Sequence, residues 1–376
     1  MYVEIDTEAQ LRALLGARSD LRKVVVQHVD LRPLASELRK VRAEGAVFLG
    51  CAFDQELLAH VIASEGTVFP DLPGLEFKPY RPSLYTPDEL LEGYARNNPR
   101  SLFETTRDAK IYLQYQASRT AQGLVDALAQ RLHDHAIDDA LAELLNDADR
   151  PRKVVAIMGG HSMARGTDPY RDVARIARRL TTKGYFLVSG GGPGAMEATN
   201  LGAWLGTKDE AVLDKALADL ARAPSYKDQG WLELALDVRE RASGGAESLG
   251  VPTWFYGHEP SNVFATHVAK YFSNSLREDG LLAIAKYGVI FAPGSAGTIQ
   301  EVFQDAAQNH YGTFVEVSPM VLFGKRYWTV DKPVWPLLSA LAKGKQYEQL
   351  LAIEDDVDTV VRFVQDHPPV RYAVPS

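Results

Sequence analysis

The sequence holds a single cysteine, Cys51, in 376 residues. That excludes an intrachain disulfide and fits a reducing compartment. Beside Gly50, Cys51 reads as a small core residue rather than a nucleophile. No apolar run reaches the ~20 residues that a bilayer-spanning helix needs. The first residues, Met1-Tyr2-Val3-Glu4-Ile5-Asp6, show neither the basic start nor the apolar core of a secretion leader. A cytoplasmic location with no membrane partner is therefore expected. Positive charge is in deficit, with 41 Lys and Arg against 49 Asp and Glu and a net charge of -8. This argues against a broad nucleic-acid surface and leaves room for a local pocket for one phosphate. Clusters with metal-ligand spacing are lacking. His133 and His135 are two residues apart and fall on different faces of a helix, so they are expected to be solvated rather than ligating. No metal and no cofactor is called for. Neither a Walker lysine nor the G-x-G-x-x-G fingerprint accompanies the Gly-rich turns, so P-loop hydrolysis and NAD oxidoreduction lose ground.

What is present centres on Ala292-Pro293-Gly294-Ser295-Ala296-Gly297-Thr298-Ile299-Gln300-Glu301. The apolar run 288–292 before it has the composition of a buried strand, and the residues after it carry apolar positions at helical spacing. A strand, a glycine turn and a helix start place backbone N–H groups and a positive helix end at one point, where phosphate binds well. Thr298 adds a hydroxyl. Glu301 adds a carboxylate one turn in, suited to a ribose hydroxyl or a developing cation rather than to phosphate.

Two further turns repeat the pattern. Strand 153–158 leads into Gly159-Gly160-His161-Ser162, followed by a helix over about 170–183 that Gly184 ends. Strand 185–188 leads into Gly190-Gly191-Gly192-Pro193-Gly194-Ala195-Met196 and a helix through Leu205. Glycine turns also serve close packing without a ligand. Three of them, each after a strand, point to a nucleotide or phosphate site. The expected fold is α/β, a doubly wound parallel sheet of Rossmann-like type, with the turns gathered beyond the carboxyl ends of its strands.

The rest is organised around this unit. Residues 1–150 read as an N-terminal α/β extension with a packing, oligomerising or regulatory role. It has a helix over 8–15 capped by Asp6 or Thr7, strands over 21–29 and 46–53, and a helix over 34–42. A proline-rich segment over 66–100 follows. From Ser101 the pattern turns helical: Ile111-Tyr112-Leu113 and Leu124, Leu128 and Leu132 support at least one long helix, and 137–145 another. The boundary falls at 146–151. Within 151–376, the helices 209–221 and 231–241 form an insertion at about 207–245. Trp254 and Tyr256 read equally as core packing or as base-stacking groups, and His258 and Glu259 as pocket or turn residues. Residues 264–276 read as an amphipathic helix ending near Arg277, which by its acidic neighbours reads as a surface ion pair. Residues 315–323 read as the last sheet strand, helices follow from 335 and over 358–365, and the proline-containing tail is irregular.

The turn Gly190–Met196 resembles the GGGxxGxM motif of the Lonely Guy (LOG) family, and Pro293–Glu301 resembles its PGGxGTxxE motif. The resemblance covers roughly residues 152–365. It implies a Rossmann-like phosphoribohydrolase that splits a nucleoside 5'-monophosphate, such as AMP or a cytokinin nucleotide, into base and ribose 5-phosphate. It implies Glu301 and Arg277 as catalytic residues. Gly160, Ser162, Gly190, Gly191, Gly192, Gly194, Met196, Gly294, Ser295, Gly297 and Thr298 are then the expected nucleotide- and phosphate-binding residues. Ser295 replaces the second glycine of PGG, and Arg277 stands one residue further upstream than the family pattern. Members of the family are usually homodimers or larger, so a homo-oligomer is expected. The alternative on the same fold is a non-catalytic nucleotide-binding or carrier protein.

Overall fold

The computed structural model describes residues 3–119 and 123–373. Two compact units emerge. One comprises residues 1–84 and 114–142, the other residues 85–113 and 143–376. The division thus differs from a single cut near residue 150, because 85–113 joins the C-terminal unit.

The first unit holds β1 (Val3–Ile5), α1 (Glu8–Ala17), β2 (Val24–Gln27), α2 (Ala35–Leu38), β3 (Val47–Leu49), α3 (Gln55–Ala63) and β4 (Thr67–Phe69). Thr7 caps α1 in a capping box with Gln10. The four strands are parallel in the order β1-β2-β3-β4. Val3 lies opposite Val24, Val25 opposite Val47 and Val47 opposite Thr67. The chain therefore returns about every 20 residues, as in a short βα solenoid. Leu11, Leu21, Leu31, Leu34, Phe48 and Leu57 fill its core. The strands are shorter than the apolar runs that announce them. His28 (φ 51°) and Gly50 (φ 58°) turn left-handed and stop β2 and β3. The expected helix over 34–42 shrinks to a 3₁₀ turn at Arg32–Leu34 plus α2.

After β4 come α4 (Pro87–Leu90), α5 (Ser101–Glu104), α6 (Arg107–Arg119) and α7 (Leu124–Leu145). Residues 111–113 lie in α6, while Leu124, Leu128 and Leu132 share one helix, α7, with the separate helix expected over 137–145. The inward stripe of α7 carries Ala129, His133, Ile137 and Ala140, a 4-4-3 spacing. His133 is fully buried, with Nδ1 3.1 Å from Asp134 Oδ1 and its ring edge-on to Phe77, which corrects the solvated reading. His135 is exposed.

The second unit is built on a seven-stranded, all-parallel sheet with the order β12-β11-β9-β5-β6-β7-β8. Its strands are β5 (Lys153–Met158), β6 (Tyr185–Ser189), β7 (Ser248–Gly250), β8 (His267–Val268), β9 (Val289–Phe291), β11 (Met320–Phe323) and β12 (Leu351–Glu354). A separate ribbon pairs β10 (Glu316–Val317) antiparallel with β13 (Val370–Arg371). The chain lays β6, β7 and β8 on one side of β5, then returns to place β9, β11 and β12 on the other. The topological switch point lies between β5 and β9, where ligands of doubly wound sheets bind. The expected α/β doubly wound fold is therefore present.

The helices are α8 (Asp168–Thr182), α9 (Ala195–Trp204), α10 (Glu210–Leu220), α11 (Trp231–Arg241), α12 (Asn274–Ile284), α13 (Ala296–Tyr311), α14 (Trp335–Ala342) and α15 (Val357–Asp366). At the crossing of α8 and α9, a Cβ on Gly202 would run into the Ala174 carbonyl. Three expectations are corrected. The helix expected over 264–276 is absent up to 273: Phe264, Ala265, Val268, Ala269, Tyr271 and Phe272 are all buried, the stretch forms β8 and turns, and helix begins only with α12 at Asn274. An apolar run buried on every side has no amphipathic period to read. The strand expected over 315–323 is split at Ser318-Pro319 into β10 and β11, and β12 is the outer strand. The tail contains β13. No helix among the described residues is long and apolar enough to cross a membrane.

Candidate functional site

The turns after β5, β6 and β9 converge at the switch point. Gly160 N–H donates to the Pro293 carbonyl at 3.1 Å, and a Cβ on Gly160 would lie 3.2 Å from Gly294 Cα. The Ala195 N–H donates to the Gly160 carbonyl at 3.1 Å. Gly194 (φ 71°) sits where any Cβ would come within 2.6 Å of the His161 carbonyl. Gly191 (φ 75°) packs so closely on β7 that a Cβ would come within 3.0 Å of Val251 N. These two glycines answer backbone demands that other residues meet only with strain.

Over the turns lies a cavity of about 470 Å³. Of the expected binding residues, Gly160, Gly190, Gly192, Met196, Ser295, Gly297 and Thr298 line it. Arg277 and Glu301 complete it. Gly191, Gly194, Gly294 and Ser162 do not line it. The first three shape the turns, and Ser162 and Gly194 face an adjoining cavity of about 150 Å³. Helix α13 begins beneath the cavity, so the N–H groups of Ala296, Gly297 and Thr298 have no acceptor within the helix. Together with the helix dipole they suit an anion. The Tyr327 hydroxyl donates to the Gly294 carbonyl and fixes the turn from outside.

Arg277 is not the surface ion pair that its acidic neighbours suggest. It lies inside α12, 8% exposed, with Nε donating to the Val251 carbonyl at 2.8 Å. Its Nη1 is 3.3 Å from Glu301 Oε1 and 4.0 Å from Glu278 Oε1. Burial pushes the Glu301 carboxyl up to about 7; Arg277 pulls it down and the Glu278 charge opposes that pull. A carboxyl so placed exchanges a proton near neutral pH, as a general acid or base must. One turn later, Asp305 is raised to about 8 by burial alone, and its Oδ2 has no hydrogen-bond partner.

Several residues escape sequence reasoning. Asn262 is fully buried; its N–H donates to the Gly191 carbonyl at 2.9 Å and its Nδ2 to the Gly192 carbonyl at 3.2 Å. Asn200 Oδ1 accepts from Asn262 Nδ2 at 3.0 Å and from the Ser189 hydroxyl at 2.7 Å. This network clamps the second glycine turn. Its sequence signal is short polar residues within apolar stretches that flank a turn. Glu259, Glu278 and Gln300 also line the cavity, with Gln300 Nε2 donating to Glu278 Oε2 at 2.8 Å. The even odds for Trp254 and Tyr256 resolve by separation. Trp254 is fully buried, whereas Tyr256 is exposed on the cavity wall. His258 and Glu259 likewise part: Glu259 faces the cavity and His258 turns away.

No protein-family model and no curated protein sequence matches the chain. The LOG resemblance therefore rests on the two motifs. Among solved structures, the molybdenum cofactor carrier protein of Chlamydomonas reinhardtii is similar, with TM-score 0.37 and 15% identity. The match covers 57% of this chain and 97% of that one. The molybdenum cofactor binding protein of Rippkaea orientalis gives TM-score 0.37 and 13% identity, over 57% of this chain and 96% of that one. Likeness of this degree carries no functional argument.

Proposed function

We propose that the cavity at the switch point binds a nucleoside 5'-monophosphate and hydrolyses its N-glycosidic bond, as the LOG-like motifs imply. The observation that carries this reading is Glu301, a buried carboxyl with a pKa of about 7, set one turn above an anion-binding helix start and paired with Arg277. The 5'-phosphate rests on the N–H groups of residues 296–298 and on the Ser295 and Thr298 hydroxyls. Water adds to C1' as the C1'–N bond breaks; the base leaves with a proton, and ribose 5-phosphate remains. Positive charge develops on the sugar, and the Glu301 carboxylate stabilises it or takes the proton of the attacking water. Arg277 orients Glu301 and keeps it partly ionised.

A second reading is a non-catalytic carrier of a phosphate ester. The backbone cradle suits phosphate whether or not the ester is cut, so the same geometry serves binding without chemistry. One experiment separates the two: incubation of the purified protein with a panel of nucleoside 5'-monophosphates, with chromatography for free base and ribose 5-phosphate. Glu301→Gln is expected to lower turnover ~10²–10⁴-fold with nucleotide affinity within about threefold of wild type. Binding without base release would favour the carrier. Wild-type turnover in Glu301→Gln would remove Glu301 from the chemistry.

A further inference from the structure

One stretch of the cavity lining is the segment 252–259, of which Pro252, Thr253, Tyr256, Gly257 and Glu259 face inward. The Tyr256 hydroxyl accepts from Asn274 Nδ2 at 2.9 Å. Glu259 reaches the other rim, with Oε1 3.9 Å from His161 Nδ1. The segment thus forms a strap across the mouth. Two of its residues point the opposite way and converge on one carboxylate. Trp254 Nε1 donates to Asp108 Oδ1 at 2.8 Å. His258 Nε2 lies 3.4 Å from Asp108 Oδ2, its side chain 8% exposed, stacked on Tyr112 and edge-on to Phe103. Lys270, itself 1% exposed, sits 2.8 Å from Asp108 Oδ1, lies over the Trp254 ring and donates to the Ser261 hydroxyl at 3.3 Å.

Asp108 belongs to α6, in the 85–113 stretch that the sequence assigns to a separate extension. Burial alone would raise its carboxyl, but Lys270 and His258 hold it at about 2, so it stays charged. A buried charge cluster is an expensive way to gain stability, since apolar residues of similar volume do as well or better. What it supplies here is position: one carboxylate ties both outward-turned residues of the strap, and the inward-turned ones follow from the alternation.

We propose that Asp108 is a positioning residue for this site, holding the strap through Trp254 and His258 so that Tyr256 and Glu259 meet the part of the ligand beyond its phosphate. The phosphate cradle on α13 is not part of the strap. Asp108 therefore governs recognition of the nucleoside moiety and not of the phosphate. This rests on the reading that the cavity holds a phosphate ester.

The test uses the full chain with Asp108→Asn and, because that change leaves Lys270 buried without its counter-ion, also with His258→Phe, which keeps the aromatic stack. Amide hydrogen exchange over 252–262 is expected to quicken about tenfold or more in both variants, while β5, β6 and β9 keep wild-type protection. AMP affinity is expected to fall about tenfold, and inorganic phosphate affinity to stay within about twofold. Unchanged exchange over 252–262 in both variants would overturn the proposal. So would an equal loss of protection throughout the sheet, the signature of a merely structural role, or an equal loss of AMP and phosphate binding. If the wild-type protein binds no AMP, the phosphate-ester reading falls, and the exchange measurements by themselves decide whether Asp108 positions the strap.

Discussion

Replacing Arg277 with Met removes the cation that stands within ion-pair distance of Glu301 and keeps much of the side-chain volume. Arg277 Nη1 lies 3.3 Å from Glu301 Oε1. At that separation and an effective dielectric of about 20, the attraction is about 5 kcal/mol. Glu278, 4.0 Å from the same nitrogen, works against Arg277 by opposing ionisation of Glu301. Removing the guanidinium leaves burial and the Glu278 charge, both of which raise the carboxyl. An upward shift of roughly 2 units or more follows at about 1.4 kcal/mol per unit. Burial holds wild-type Glu301 at about 7, so the variant's carboxyl is still mostly neutral at about pH 8. Infrared difference spectra on protein with ¹³C-labelled glutamate read this directly, with no need for a substrate.

The stability consequence has a definite sign. A carboxyl whose folded-state pKa is raised binds more protons in the folded state, so it subtracts stability as pH climbs from its unfolded value through its folded one. In the wild type that loss is complete a little above pH 7. In Arg277→Met it continues toward pH 9 and beyond, so the gap in urea unfolding free energy between the two proteins must widen from pH 7 to pH 9. A Glu301 midpoint that stays at 7 or drops, or a gap independent of pH, would refute the electrostatic account of the pair.

Asp305→Asn is expected to stabilise the protein increasingly as pH rises from about 4 to 8, since burial alone holds Asp305 up at about 8; unfolding curves at pH 5 and pH 9 check it, and equal effects at both would count against it. Gly194→Ala should destabilise by about 1–3 kcal/mol or more, read as a lower Tm, because φ is 71° and the new Cβ would press on the His161 carbonyl. The Cys51 thiol is pushed up to about 11 by burial and should react with a thiol reagent at pH 8 only on unfolding; fast reaction of the folded protein would contradict its place in the core.

Much of the site was legible before the fold was known, and the reason is locality. A strand, a glycine turn and a helix start are specified by neighbours within about 10 residues, through apolar patterning and the conformational needs of Gly191 and Gly194. The turns after β5, β6 and β9 could therefore be read as they stand, and their convergence followed from the doubly wound rule. Where the sequence misled, the deciding contacts join residues far apart along the chain. Arg277 is followed by two acids in sequence, Glu278 and Asp279, yet its buried partner is Glu301, brought beside it by the packing of α12 against α13. The run 264–272 carries no period because it is buried on all sides. Nothing in the residues flanking Asp108 marks it out, and only the tertiary structure sets it against Lys270, Trp254 and His258. Local chemistry determined which turns set backbone N–H groups at a helix start. Burial and long-range pairing decided which charged groups stand over them, because a side chain's environment is a property of the packed chain and not of its neighbours in sequence.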